Sequence, residues 1–374
     1  MKVQLGAFLR TTLPLGLSAL NDYDNDRYHS VWLPDHMVSF WPDSIWTPEF
    51  TDLAISSPSP HRHLDALAIA GAAAVLTRTV PIATKVVDTV RRHPSLLAQT
   101  ALTIDHLSRG RFILGLGSGE LENTAPYGFD FKKPVSRFEE SLKVIRLLWD
   151  TDGPVDFEGE FYKLQHARLD TEPFAGKFPR IYIGSYGPRM LELTGRYADG
   201  WYPAGVRSPE EYAAKLQVIH EAAERADRDP HAIVPTFSAP GLIGDDDEVA
   251  EMMETPLVKS YILQLPADFL RANGFEHPMG PDWHGIHDLD PGKVTRDVII
   301  DLIKKVDGKM LSAVVPHGSP KKIAQFYKGY VDAGMRVPKI MDYGSMAGAK
   351  FAANSGKKVR EAEDEFLRLV GQQE

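Results

Sequence analysis

The chain of 374 residues contains no cysteine, which excludes disulfides and thiolate metal sites. No apolar run approaches the roughly 18 residues of a spanning helix. The opening MKVQLGAFLR lacks the charged, apolar and small-residue regions of a secretory leader, so a soluble cytoplasmic protein is expected. Positive charge is in deficit, with 42 Lys+Arg against 51 Asp+Glu and a net charge of −9. That balance argues against nucleic-acid partners, which need a basic surface. Internal repeats, low-complexity tracts and linkers are missing too. A hydrophobic content of 43% is that of an ordinary globular protein. The length is compatible with one α/β barrel built on a large core.

Short β-branched runs alternate with helical patterns. Eight strands are predicted: Val3–Leu9, Ser30–Pro34, Val80–Val87, Arg111–Leu116, Arg180–Gly184, Gly200–Pro203, Val234–Ala239 and Val337–Met341. Between them, Pro94–Ser108 places Leu97, Ala101, Ile104 and Leu107 on one face, closed by Gly110. Ser136–Trp149 opens on a capping box, Ser136–Glu139, and the helices from Pro209 and Pro320 have Ser208 and Ser319 as caps. A final amphipathic helix is expected near Val359–Val370. The crossover 14–29 is poorly helical. The alternation predicts a (β/α)8 TIM barrel over residues 1–374 as a single domain. Residues 38–62 and 244–292 break the pattern and read as extended βα loops, the loops that build barrel active sites.

Three groups stand at predicted strand ends. Asp35 and His36 follow the second strand, GLGSGELEN (115–123) the fourth, and GSYGPRM (184–190) the fifth. Histidine as a residue type titrates near neutrality, so His36 suits proton exchange beside a redox centre; the alternative is a histidine hydrogen-bonded at a strand end. The glycine run departs from the dinucleotide fingerprint, with Glu120 where a third glycine belongs, so a Rossmann site is not expected. The glycines instead allow backbone to approach a flat ligand, with Glu120 as a candidate proton donor; a tight strand–loop turn with a solvated Glu is the alternative. GSYGPRM offers free N–H groups at a helix start for a phosphate, with Arg189 adding charge; a plain helix N-terminus is equally compatible. His277, His284 and His287 are spaced H-x6-H-x2-H, which no single helix or strand aligns, so no metal site is assigned and the stretch reads as a lid or substrate-facing loop. No G-x-S-x-G hydrolase motif is present.

Residues 91–120 (RRHPSLLAQTALTIDHLSRGRFILGLGSGE), 133–150 (KPVSRFEESLKVIRLLWD) and 183–201 (IGSYGPRMLELTGRYADGW) together resemble the luciferase-like superfamily of flavin- and coenzyme F420-dependent oxidoreductases. EHPMG (276–280) before WHGIHD is similar to the branch that contains the mycobacterial phthiodiolone ketoreductases, deazaflavin enzymes acting on long-chain ketones. The resemblance implies a (β/α)8 barrel with the coenzyme ring over the strand ends. It implies that Asp35 and His36 are the Asp-His pair beside the ring, Glu120 the active-site carboxylate and Asn123 a polar contact. Gly184, Ser185 and Gly187 would form the phosphate loop. A non-prolyl cis peptide behind the ring would fall in Thr84–Asp88, bringing Thr84, Lys85, Val87 and Asp88 to the coenzyme. Family members often keep a tryptophan shortly after the Asp-His pair; here DHMVSFWPD offers Phe40 and Trp41. Phe40, Trp41, Trp46, His277 and Trp283 are expected to line an apolar substrate mouth.

The implied reaction is hydride transfer between C5 of the deazaflavin and an apolar carbonyl or alcohol, with His36 and Glu120 handling the proton. An FMN-dependent monooxygenase and a non-catalytic coenzyme-binding protein are the alternatives. Homodimers are common among such barrels, but the sequence defines no interface.

Overall fold

The computed structural model describes residues 2–203 and 205–371. They fall into two compact units. One gathers the chain up to Met37, His63–Val206 and Glu210–Thr236; the other gathers Val38–Arg62, Arg207–Pro209 and the chain from Phe237 onwards.

In the first unit the strands are β1 (Leu5–Phe8), β2 (Tyr28–Pro34), β3 (Ile82–Lys85), β4 (Phe112–Gly117), β5 (Arg180–Ser185), β6 (Gly200–Pro203) and the start of β7 (Val234–Ile243). Each pairs in parallel with the next, from Ala7 opposite Val31 to Val234 opposite Gly200. Parallel neighbours need crossovers. These carry helices α1 (Ala66–Leu76), α2 (Pro94–Ser108), α3 (Pro134–Asp150), α4 (Pro188–Tyr197) and α5 (Pro209–Glu224). The strands are covered on both faces, and β4 is buried along its whole length, as its unbroken apolar and glycine run requires. In the second unit the end of β7 pairs with His317–Gly318 and β7 also pairs with β8 (Val337–Asp342). Its longer helices are α6 (Asp246–Glu254), α7 (Arg296–Lys305), α8 (Gly308–Val314), α9 (Pro320–Asp332) and α10 (Ala349–Gly371).

The eight expected strands and their alternation with helices are present. The differences are local and each has a cause. Helix α3 starts at Pro134 with Lys133 in the left-handed region, and no side chain caps it. The expected capping box is not made, because Ser136 lies inside the first turn rather than at the N-cap; its Oγ accepts from Arg189 at 2.9 Å and Glu139 accepts from the same side chain at 2.8 Å. The left-handed residue closing α2 is Arg109, followed by Gly110 with φ of 81°. The crossover 14–29 holds only a 3-10 turn, Leu17–Ala19, and one helical turn, Leu20–Tyr23. A hairpin, Val155–Glu158 with Lys163–Ala167, was not anticipated; its strands are only four and five residues long and bury a single side chain, Val155. The last helix begins ten residues earlier than its apolar stripe suggested. Among the described residues no helix is long and apolar enough to cross a membrane.

Candidate active site

The third strand is interrupted where a non-prolyl cis peptide links Lys85 to Val86, and Val87–Asp88 resumes beside Leu116 and Gly117 of β4. Two glycines make room for Val86. A Cβ on Gly117 would stand 2.6 Å from Val86 Cγ2, and one on Gly184 at 3.2 Å. At Gly115 a Cβ would lie 1.9 Å from the carbonyl oxygen of Thr84. The glycine run of β4 is thus explained by the close approach of the neighbouring strand. Thr84 itself is fully buried, its hydroxyl bonded at 2.9 Å to both the N–H and the carbonyl of Gly115. Val87 is fully buried, and Lys85 lies over the rings of Phe8 and Tyr202.

At the ends of β2 and β4, side chains far apart in sequence meet. Asn123 is their hub. Its Oδ1 accepts from the backbone N–H of Met37 at 2.6 Å, which fixes the amide's orientation. Its Nδ2 then stands 3.0 Å from His36 Nδ1, 3.2 Å from Glu120 Oε2 and 2.8 Å from Glu122 Oε1. An amide nitrogen has two hydrogens and no acceptor. As donor to Nδ1 it leaves the neutral imidazole's proton on Nε2. His36 Nδ1 and Glu120 Oε2 are 3.4 Å apart, with side chains 18% and 34% exposed. His36, Glu120 and Glu122 have the residue types of a metal cage, their ligand atoms lying within 4.8 Å of one another. The point a cation would take is already held by the Asn123 amide, so the cluster is read as a hydrogen-bonded, proton-handling group.

Glu122 was not singled out from sequence; in GELEN it reads as one more solvated acid. It is 1% exposed. Burial, reinforced by the neighbouring Glu120, holds its carboxyl far above the ordinary range.

Asp35 does not reach this hub through its carboxylate. Arg91 donates to it at 2.5 Å and Arg92 at 2.6 and 3.0 Å, while Arg91 also pairs with Asp88. Asp88 in addition accepts from the backbone of Val90 and Arg91. This buried network ties the end of β2 to the segment that follows β3. Sequence reasoning missed both arginines as partners, since adjacent basic residues before a proline carry no signature of where they point.

At the end of β5, Ser185 is buried and its hydroxyl shares a hydrogen bond with Thr194 at 2.8 Å. Gly187 precedes the first turn of α4, with nothing within 4 Å of where its side chain would stand. Arg189, expected to add charge there, is the residue turned to Ser136 and Glu139.

The expected substrate-mouth residues all belong to the second unit, where Phe40, Trp41, Trp46 and Trp283 pack against its apolar core. Trp41 stacks on Tyr343 with centroids 6.1 Å apart. Trp46 donates to the Ser57 carbonyl at 2.6 Å and Trp283 to that of Leu263 at 2.9 Å. His277 is pinned at both nitrogens by backbone, to Ile262 O at 3.0 Å and Met279 N at 3.1 Å, and burial lowers its pKa. His284 pairs with Asp288. Among the described residues the three histidines do not form a ligand set.

The parallel β/α chain thus carries a histidine, a carboxyl pair and an amide at its strand ends, and a cis peptide after its third strand. Residues 26–336 match the luciferase-like monooxygenase family, and the chain belongs to that family. Among its relatives is a phthiodiolone/phenolphthiodiolone dimycocerosates ketoreductase of Mycobacterium tuberculosis, 36% identical over 311 residues, or 82% of each chain. A coenzyme F420-dependent glucose-6-phosphate dehydrogenase of Nakamurella multipartita is 36% identical over 163 residues, 42% of this chain and 47% of that one. An F420-dependent secondary alcohol dehydrogenase, solved with an F420-acetone adduct, superposes with a TM-score of 0.71 over 97% of this chain and 99% of its own at 20% identity. That likeness establishes the shared fold.

Proposed function

We propose that the chain is a coenzyme F420-dependent oxidoreductase that interconverts a carbonyl and an alcohol, with an apolar substrate. The observation that carries the reading is the Asn123 hub, which ties His36 to Glu120 at the ends of β2 and β4. Its groups fit the coenzyme's chemistry, being a ring N–H, an amide and a carboxyl pair. The open space at Gly187, ahead of the ten-residue helix α4, suits a phosphate. When bound, the coenzyme supplies or accepts the hydride at C5 of its deazaflavin ring.

The residues handle the proton. Asn123, locked by Met37, holds the neutral His36 ring with its hydrogen on Nε2, ready to donate to a carbonyl oxygen as charge develops there. Glu120 is the more exposed of the two carboxyls and supplies or collects the proton. Phe40, Trp41, Trp46 and Trp283 are assigned to the apolar substrate contact, and Gly184, Ser185 and Gly187 to the phosphate. Asp35 and Asp88 contribute by anchoring Arg91.

The ketoreductase and dehydrogenase relatives favour F420 over an FMN-dependent monooxygenase. A non-catalytic coenzyme-binding protein would leave the histidine–amide–carboxyl set without a task. The test is parallel titration with F420 and FMN, followed by intrinsic tryptophan fluorescence. F420 is expected to bind and FMN not; tight FMN binding with none for F420 overturns the assignment. His36→Asn is expected to lower turnover about 100-fold or more while coenzyme affinity survives. A homodimer is the proposed assembly, checked by sedimentation of the purified protein.

A further inference from the structure

Two glutamates flank the hub, and the reaction as described needs only one. Glu122 is the buried partner, at 1% exposed. Its Oε1 takes a hydrogen bond from Asn123 at 2.8 Å, while its Oε2 is buried with no donor among the described residues. Glu120 and Glu122 each take a hydrogen bond from the Asn123 amide, and the ligand oxygens of the two carboxyls lie within 4.8 Å of one another. Two carboxylates have only acceptors and repel at this separation, and with Glu122 1% exposed the pair is held by a proton on one of them. Counting hydrogens at the hub gives the same answer. Asn123 Nδ2 has two hydrogens for three acceptors, and the pair is completed by one further proton.

We infer that Glu122 is the proton store of this site: a buried carboxylic acid that holds one proton against Glu120 and passes it there whenever Glu120 has given its own away. The inference rests on the proposed carbonyl reduction. In one cycle the substrate carbon gains a hydride from the reduced coenzyme and the oxygen gains a proton from the His36–Glu120 side. The Glu122 O–H bond then breaks as a new O–H bond forms on Glu120. The resulting Glu122 carboxylate keeps the Asn123 hydrogen bond until water, by way of the partly exposed Glu120, returns the proton. The charged and titratable groups facing Glu122 support this assignment of the proton. Glu120 opposes a second negative charge. Arg91 pulls the other way but is committed to Asp35 and Asp88. His36 is neutral when Asn123 donates to Nδ1. As a positioning residue, Glu122 acts on the substrate only through Glu120.

The first test needs no coenzyme. Protein labelled with 13C at the glutamate carboxyls is titrated by NMR, as wild type and as Glu122→Gln. One carboxyl resonance is expected to titrate well above the ordinary range in the wild type and to be missing from the variant; its absence from the wild type overturns the store. The second test is turnover. Gln keeps the hydrogen bond to Asn123 but cannot release a proton. Glu122→Gln is therefore expected to lose at least tenfold in kcat, with a larger solvent deuterium isotope effect and unchanged F420 affinity; Glu122→Asp is expected to recover part of the loss. Wild-type kcat in Glu122→Gln across the pH range overturns the relay. A thermal melt no lower than that of the wild type shows that the variant is folded. Failure of the F420 reading would appear separately, as no F420 binding by the wild type with the high-titrating carboxyl still present.

Discussion

Single side chains here do two jobs, and the amide of Asn123 shows both. It satisfies the Met37 N–H and selects the tautomer of His36. Asn123→Ala removes the acceptor of the Met37 N–H, a part-buried hydrogen bond whose loss costs about 1 kcal/mol, and frees the imidazole to place its proton on either nitrogen. Stability and kcat are both expected to fall, whereas the phosphate end of the coenzyme site keeps its contacts. Chemical denaturation and steady-state kinetics on the same preparation check this, and an unchanged kcat would remove the tautomer argument. Asp105 is a purely structural counterpart. It is 1% exposed, accepts from Phe112 N at 3.3 Å through Oδ1, and leaves Oδ2 without a partner. Burial raises its pKa to about 6. Because the folded value is the higher one, the stability this group contributes is fully present below the ordinary carboxyl range and is lost as pH rises through about 6. Asp105→Asn keeps the acceptor for Phe112 and has no charge to bury. The variant should gain roughly 1–3 kcal/mol over wild type at pH 8, with no gain near pH 3. Urea melts at the two pH values decide it.

At the scale of elements, what was legible in the sequence is what repeats. Parallel strands buried on both faces must be continuous apolar runs, and their crossover helices must carry one apolar stripe, so β2, β4 and α2 could be read within a few residues. The hairpin at 155–167 could not, because strands this short, burying only Val155, leave no such record. The capping box at Ser136 failed for a different reason: the local pattern was present, but the helix starts two residues earlier, at Pro134, which leaves Ser136 inside its first turn. In the site, His36, Glu120 and Asn123 were reachable through their resemblance to a family. Glu122 was not, since only the fold reveals that an acid in a polar loop points inward. The glycines of β4 had a meaning the sequence left open. Gly115 is required by its neighbour: with Thr84 O only 1.9 Å from a Cβ, no side-chain rotation relieves the contact. Gly115→Ala must separate β3 from β4 and is expected to cost about 3 kcal/mol. Gly117→Ala, opposed by a side-chain methyl of Val86, should cost less. Comparing the two melting temperatures tests whether backbone or side chain sets the limit, and equal losses would contradict it.

For the molecule as a whole, the coenzyme is the largest stabiliser the proposed function would add. A ligand that binds only the folded state contributes RT ln(1 + [L]/Kd), about 2.7 kcal/mol at a hundredfold excess over Kd. For a chain of 374 residues the unfolding entropy is large, and each kcal/mol is worth only about 2 °C. Saturating F420 should therefore raise the melting temperature by about 4–6 °C. FMN at the same concentration should leave it within error. The His36→Asn variant should show the full F420 shift despite its lost turnover, because the histidine is assigned to the proton and the affinity to the phosphate and ring contacts. If the shift disappears with His36, the residue is a binding group first, and the separation between holding the coenzyme and moving the proton does not describe this site.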